Sequence, residues 1–204
     1  MRCLDLFCGG GGASMGYFQA GYDDVTGVDI EPQPHYPFRF ILGDALEYVR
    51  LYGSQYDLIH ASPPCQKYSV TSNLWGREYP DLLHVTRECL VNTGRAWVIE
   101  NVTGAPFMWA IQLCGAMFGL RTYRHRLFEC SQLILAPPHP EHKYRVAKCG
   151  RRPNDGEYMS VVGKFIGVDL AREIMGIDWM IGRELSQAIP PVYTEFVGSQ
   201  LLSV

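Results

Sequence analysis

Cysteine, carboxylate and arginine occur in this chain at positions where they could act together on one flat ring. The tetrapeptide Pro63-Pro64-Cys65-Gln66 follows an apolar run, Tyr56-Asp57-Leu58-Ile59-His60-Ala61. That run reads as a buried parallel strand. A thiol at the carboxyl end of such a strand lies where open α/β sheets bind ligands. The prolines restrict the backbone and aim the thiol in one direction. Once ionised, cysteine is a strong nucleophile. A second strand, Ala96-Trp97-Val98-Ile99, ends in Glu100-Asn101-Val102. If the sheet follows chain order, the ends bearing Cys65 and Glu100 are neighbours. Sulfur adding to a ring carbon while an acid protonates a ring nitrogen avoids accumulation of charge. Partial burial would hold Glu100 protonated for this step. Arg124 and Arg126 alternate in Tyr123-Arg124-His125-Arg126 and would share one strand face. One suits a substrate carbonyl, the other a phosphate or a neighbouring acid.

These groups need a scaffold, and the first third of the chain supplies its outline. A short apolar strand runs into Asp5-Leu6-Phe7-Cys8-Gly9-Gly10-Gly11-Gly12, and Ala13–Ala20 reads as a helix. A strand, a glycine turn and a helix make a nucleotide-type pocket. Ser14 stands where a dinucleotide fingerprint needs a small Gly or Ala, which weakens a nicotinamide reading. Asp29, twenty residues after Gly9, ends a second strand and suits two ribose hydroxyls. A third strand, 38–42, leads to Asp44, placed to accept from an adenine amino group. S-adenosylmethionine fits this pattern better than NAD, because no extended pyrophosphate site is evident. Helices are expected at 45–51, 82–92, 169–175 and 192–202. Strands alternating with helices predict an α/β, doubly wound, mostly parallel sheet.

Composition sets bounds on the rest. The 204 residues suit a single domain with a full core. Seven scattered cysteines without a CxxC pair argue against a disulfide framework and for a reducing compartment. No apolar run of membrane length and no signal-like start are visible, so a cytoplasmic protein is expected. A zinc reading of His139, His142 and Cys149 matches no standard finger spacing, and no metal is expected. The net charge of −3 hides an asymmetry. Residues 121–152 hold eight basic and two acidic residues, a local +6 that attracts phosphate.

In order and spacing the motifs resemble those of the DNA cytosine-5 methyltransferases. They are Asp-x-Phe-x-Gly-x-Gly-Gly at 5–12, Pro-Pro-Cys-Gln-x-x-Ser at 63–69, Glu-Asn-Val at 100–102 and Arg-x-Arg at 124–126. Ala188-Ile189-Pro190-Pro191 is similar to the family's closing motif, whose helix packs beside the cofactor loop. The resemblance implies a class I S-adenosylmethionine-dependent, Rossmann-like fold with a very small target-recognition insertion. It implies a core over 1–130, a reduced recognition segment over 131–168, and helices over 169–204 that pack back on the core. It also implies methyl transfer to C5 of cytosine in double-stranded DNA, with S-adenosyl-L-methionine as donor; a monomer is expected, although the sequence leaves the oligomeric state open.

Residue roles follow from the same resemblance. Cys65 aligns with the nucleophile at C6 and Glu100 with the acid at N3. Arg126 aligns with the arginine at the base carbonyl, and Arg124 with one that supports the site. Asp5, Phe7, Gly9, Gly11 and Gly12 align with the cofactor loop, Asp29 with the ribose acid, and Ile30 with the adenine ledge. Asp44 and Ala45 align with the adenine contact, and Pro64 with the wall between cofactor and base. A base inside a duplex must leave the stack to reach such a pocket. The loop 66–80 is then the expected lid, with Gly76 as hinge and Gln66, Lys67, Tyr68, Ser69, Trp75 and Arg77 facing DNA.

Three departures from the family pattern stand out. Thr122 replaces the usual Gln, Ser186-Gln187 replace Gly-Asn, and little chain separates Arg126 from the closing motif. The segment with Lys143, Arg145, Lys148, Arg151 and Arg152 is left to read the target, which predicts a short or degenerate site and salt-dependent affinity. The rival readings are RNA as substrate, a non-catalytic DNA-binding protein with this fold, and a nicotinamide oxidoreductase. The last leaves Cys65 without a role.

Overall fold

The computed structural model describes residues 1–64, 82–148 and 150–202. Cys65, Gln66, Lys67, Ser69, Trp75 and Arg77, and with them the expected lid, lie outside the described residues, as does Cys149.

Seven strands form one sheet in the order β3-β2-β1-β4-β5-β7-β6. They are β1 Arg2–Leu6, β2 Asp24–Asp29, β3 Arg39–Leu42, β4 Leu58–Ala61, β5 Ala96–Asn101, β6 Ile111–Leu113 and β7 Arg126–Cys130. The first five run parallel, and β7 is antiparallel to both β5 and β6. This is the mostly parallel, doubly wound sheet expected from the alternation of strands and helices. The chain reverses direction across the sheet between β1 and β4, and ligands bind at the carboxyl ends of strands at such a switch point. β8 Arg145–Val146 and β9 Glu157–Tyr158 form a separate two-stranded ribbon.

Helices α1 Gly12–Ala20, α2 Ala45–Tyr52, α3 Leu82–Asn92, α4 Val168–Met175, α5 Gly182–Gln187 and α6 Pro191–Leu201 complete the chain. Alternate residues of each central strand feed opposite faces of the sheet. Cys3, Leu58 and Val98 join Tyr17, Tyr193 and Val197 on the side of α1 and α6. Leu4, Ile59 and Ile99 join Val49, Leu83 and Leu90 on the side of α2 and α3. A third apolar cluster links Met159 and Val161 to Ile174, Met175, Met180 and Leu185 of the α4–α5 region.

The contact of α1 with α6 is close because glycines remove the side chains between them. A Cβ on Gly16 would lie 2.0 Å from the Pro191 carbonyl oxygen, and one on Gly12 2.3 Å from that of Ile189. Thr194 also donates to the Ala13 carbonyl across this seam at 2.8 Å. Ala188–Pro191 therefore packs directly beside the glycine loop.

Candidate active site

The glycine loop curls because three of its residues adopt left-handed backbone angles: Phe7 at φ 58°, Gly9 at 48° and Gly11 at 85°. Glycine takes these values freely, whereas Phe7 carries a steric cost. Strain of this kind persists where the surroundings enforce it, and it clusters at ligand sites. The loop is bolted to the next strand end. The Gly9 amide donates to Asp29 Oδ2 at 2.9 Å, and the Glu31 amide donates to Oδ1 at 2.9 Å. Each oxygen keeps a second lone pair for a ligand hydroxyl. Ile30, next to it, is 74% exposed and offers an apolar ledge. Asp44 caps α2 by accepting from the Glu47 amide at 2.8 Å, so one of its oxygens already has a structural task.

Asp5 is the unusual member of this half of the site. Its side chain is buried beneath the loop, and Oδ2 accepts from the Ser14 hydroxyl. Oδ1 is buried with no hydrogen-bond partner among the described residues. Burial pushes this carboxyl up to about 7, against the opposing pull of the Ser14 hydrogen bond. Ser14 also meets the Tyr36 hydroxyl at 2.6 Å. The residue that weakens a dinucleotide fingerprint thus holds Asp5 and Tyr36 in place. Trp179 closes the loop from above, its indole N–H donating to the Gly10 carbonyl at 2.8 Å.

The chemical half lies one strand over. β4 and β5 pair in parallel with Ala61 opposite Ile99, so the chain leading to Pro63-Pro64 and the residue Glu100 emerge side by side. Asn101 Nδ2 donates to the Pro63 carbonyl at 3.0 Å inside the protein, which pins the Pro-Pro turn to the end of β5. Pro64 itself is exposed. Glu100 is 5% exposed, and its Oε1 lies 2.9 Å from Arg126 Nε. Burial raises the Glu100 carboxyl above its ordinary range; Arg126, the Ser62 hydroxyl and Arg124 pull it back down. Ser62 also bonds His60 Nε2 at 2.9 Å, and His60 Nδ1 meets the Tyr17 hydroxyl at 2.9 Å. Burial lowers His60 to about 3, so the ring stays neutral and relays orientation rather than charge.

Arg124 departs from the expected geometry. β7 begins only at Arg126, and Arg124 sits before it with φ 34°, so the two arginines do not alternate on one strand. The Arg124 guanidinium is buried and donates to the carbonyls of Ala188 at 2.8 Å, Ser186 at 2.9 Å and Val161. It fastens the closing segment to the core. The atom of Ser186 that Arg124 uses is a backbone oxygen, which any residue at that position supplies.

The basic patch is weaker than its count implied. Arg121 pairs with Glu173, Arg151 with Glu157 and Arg152 with Asp169. Lys143, Arg145 and Lys148 are exposed. Ser14 stood out in the sequence only as a departure from the dinucleotide fingerprint, and neither Ser62 and His60 nor the Asn101 tether to Pro63 stood out at all. Only the last had a signal, since Asn101 is part of the Glu-Asn-Val motif.

A mostly parallel sheet in this strand order, with a glycine loop after β1 and acids after β2 and β3, defines a class I, Rossmann-like methyltransferase architecture. The chain belongs to the C-5 cytosine-specific DNA methylase family, whose model matches residues 1–105. Members of this family use S-adenosylmethionine as methyl donor. The chain is 27% identical over 124 residues to the type II methyltransferase M.AquIA of Picosynechococcus, a match covering 50% of this chain and 49% of that protein. It is 30% identical over 118 residues to M.XorII of Xanthomonas oryzae, covering 50% of this chain and 28% of the other. The matched segment thus spans about half or less of these relatives. Two solved structures share the fold at 13% identity and a TM-score of 0.68. One is a prophage-encoded E. coli protein solved as a candidate DNA modification methyltransferase, covering 100% of this chain and 99% of the other. The other is the Dnmt2 methyltransferase of S. pombe, covering 100% and 98%. Among the described residues no helix is long and apolar enough to cross a membrane.

Proposed function

We propose that this protein methylates C5 of cytosine in double-stranded DNA through a covalent Cys65 adduct on a base turned out of the helix. The observation that carries this reading is the buried Glu100–Arg126 pair at the end of β5, beside the strand that delivers Pro63-Pro64 and then Cys65.

The residues of the first half fit S-adenosylmethionine. Asp29 would accept from the ribose hydroxyls, Ile30 would lie against the adenine, and the second oxygen of Asp44 would face its amino group. The unpartnered Oδ1 of Asp5 would meet the methionine ammonium. Phe7, Gly9, Gly11, Gly12 and Ala45 shape the wall of that cleft. When bound, this donor supplies an electrophilic methyl group on a sulfonium.

In the chemical half, the Cys65 thiolate adds to C6 of cytosine while Glu100 holds a proton at N3. Electron density moves to C5, which becomes nucleophilic toward the methyl group. Arg126 donates to the O2 carbonyl while holding the Glu100 carboxyl in place. Arg124 acts at a distance, as a positioning residue for the closing segment. After methylation, loss of the C5 proton and departure of the thiolate restore aromaticity. Lys143, Arg145 and Lys148, with Arg151 and Arg152 once released from their surface partners, would carry phosphate contacts. Exposed ion pairs hold only about 0–1 kcal/mol, so such an exchange costs little.

Incubation with S-adenosylmethionine and duplex DNA containing 5-fluorocytosine tests the reading, because fluorine at C5 blocks the final elimination. A covalent complex resistant to denaturation is expected, and Cys65→Ala abolishes it. Trapping on a fluorinated tRNA but not on the duplex would move the substrate to RNA. No adduct with either, despite tight cofactor binding, would sink the covalent mechanism.

A further inference from the structure

Outside the cofactor cleft and the Glu100 site, four side chains capable of binding metal converge. Cys114, His125, His139 and His142 place one ligand atom each within 4.8 Å of all the others. His125 Nε2 and His139 Nε2 are 3.0 Å apart, and Cys114 Sγ and His142 Nε2 are 3.5 Å apart. A tetrahedral zinc with Zn–N of about 2.0–2.1 Å and Zn–S of about 2.3 Å requires N···N near ~3.3 Å and S···N near ~3.6 Å. The cluster is close to that geometry. We propose that Cys114, His125, His139 and His142 form a structural zinc site that fastens the 131–148 segment to the catalytic core.

Three further observations support the assignment. The first is rigidity of the ligands. Tyr123 stacks on His142 with ring centroids 3.6 Å apart and planes 14° from parallel. The Tyr123 hydroxyl donates to the Tyr144 carbonyl at 2.8 Å and accepts from the Tyr144 amide at 3.0 Å, which fixes the chain just after His142. Supporting contacts of this kind orient metal ligands. The second is need. Among the described residues, the stretch from Ser131 to Lys148 contains only the two-residue strand β8, and it is mostly exposed. Segments too small to bury a core of their own are commonly fastened by a metal. The third is chemistry. One thiolate with three imidazoles suits zinc, and four protein ligands fill a tetrahedral site with no position left for substrate. The role is therefore structural. Because His125 precedes Arg126 directly, the ion would also steady the residue that pairs with Glu100.

Sequence spacing conceals this site. His139 and His142 are visible as candidates, but Cys149, which the sequence sets beside them, lies outside the described residues, and Cys114, directly after β6, is far from them along the chain.

Metal content decides the proposal independently of methyl transfer. The full chain is purified without a histidine tag from zinc-supplemented cells and dialysed against a chelating resin. About one zinc per chain, retained, is expected. Cobalt(II) exchanged into the site should give the visible absorption of tetrahedral coordination and a thiolate charge-transfer band. Cys114→Ser removes that band. His139→Ala and His142→Ala, both at exposed positions, weaken zinc at least as much as the roughly 10–100-fold typical of lost supporting contacts, with circular dichroism confirming that they fold. A chain that keeps no zinc, a cobalt spectrum of octahedral type, or Cys114→Ser and His142→Ala variants that hold metal as well as the parent would each overturn it.

Discussion

The Glu100 carboxylate and the Arg126 guanidinium meet at 2.9 Å with both side chains largely removed from water. Burial raises the acid while the arginine opposes the rise, so the pair sets how readily Glu100 holds a proton. Glu100→Gln keeps the shape and removes the ionisable proton. Its turnover should fall by about 10²–10⁴, with cofactor affinity close to that of the parent. Arg126→Met leaves the acid buried without its main counter-charge, so Glu100 titrates still higher and the fold loses up to about 3–5 kcal/mol. Single-turnover rates and urea denaturation separate the two effects. An unchanged methylation rate in Glu100→Gln would show that the proton comes from elsewhere.

Arg124 is a different kind of arginine. Its guanidinium joins carbonyls of residues 161, 186 and 188 and so ties together three segments distant in sequence. Arg124→Met strands those acceptors, of which the Val161 carbonyl is fully buried. Hydrogen bonds to charged groups are worth about 1.5–3 kcal/mol each and do not add fully, so a loss on the order of 3–5 kcal/mol is expected. Arg124→Lys should recover little, because a point charge cannot reproduce the fork. The check is the Tm of both variants with and without S-adenosylmethionine. If Arg124→Lys behaves like the parent, the clamp is not what holds the segment.

The contrast between these two arginines shows what the sequence could and could not reveal. The sheet was legible because buried parallel strands are near-continuous apolar runs, as in Leu58–Ala61, and because glycine and acid fall at the strand ends. Helix α3 was legible to the residue, since its apolar spacing is helical over Leu82–Asn92. The neighbouring of β4 and β5 followed from chain order. Arg124 was misplaced because an Arg-x-Arg pattern implies a strand, and nothing in it signals the positive φ that turns the first side chain back into the protein. Helix α5 and strand β6 are short and carry weak periodicity, so tertiary packing rather than local pattern defines them. Ser62 and His60 act through a buried chain of hydrogen bonds, and no spacing rule announces such a chain.

The seam between α1 and α6 tolerates no side chain at two positions. A methyl group at Gly16 would meet the Pro191 carbonyl oxygen at 2.0 Å, and one at Gly12 that of Ile189 at 2.3 Å. Both obstacles are backbone, so relief requires the closing segment to move. Gly16→Ala should cost at least the roughly 1–3 kcal/mol typical of overpacking. Gly12→Ala should in addition weaken cofactor binding, because the displaced segment borders the glycine loop. Gly43→Ala is a suitable control, since nothing lies within 4 Å of a Cβ there. Calorimetric titration with S-adenosylhomocysteine and thermal melts read the two quantities. Equal behaviour of Gly12→Ala and Gly43→Ala would contradict the packing argument.

Asp5 supplies a pH dependence that can be traced to a single group. Its carboxyl is raised from the ordinary aspartate range to about 7 in the folded protein, chiefly by burial. The folded state therefore binds this proton more tightly than the unfolded chain does. Stability associated with the protonated form is present in full below about pH 4 and is lost as pH rises toward 7. Above that, the cost of a buried, incompletely paired carboxylate persists. Asp5→Asn preserves the shape and removes the titration. It should narrow the stability difference between pH 5 and pH 8 by up to about 2–4 kcal/mol, with the gain on the alkaline side. Urea unfolding of parent and variant across this range measures it. Parallel stability curves from pH 4 to pH 8 would place the titrating group elsewhere in the protein.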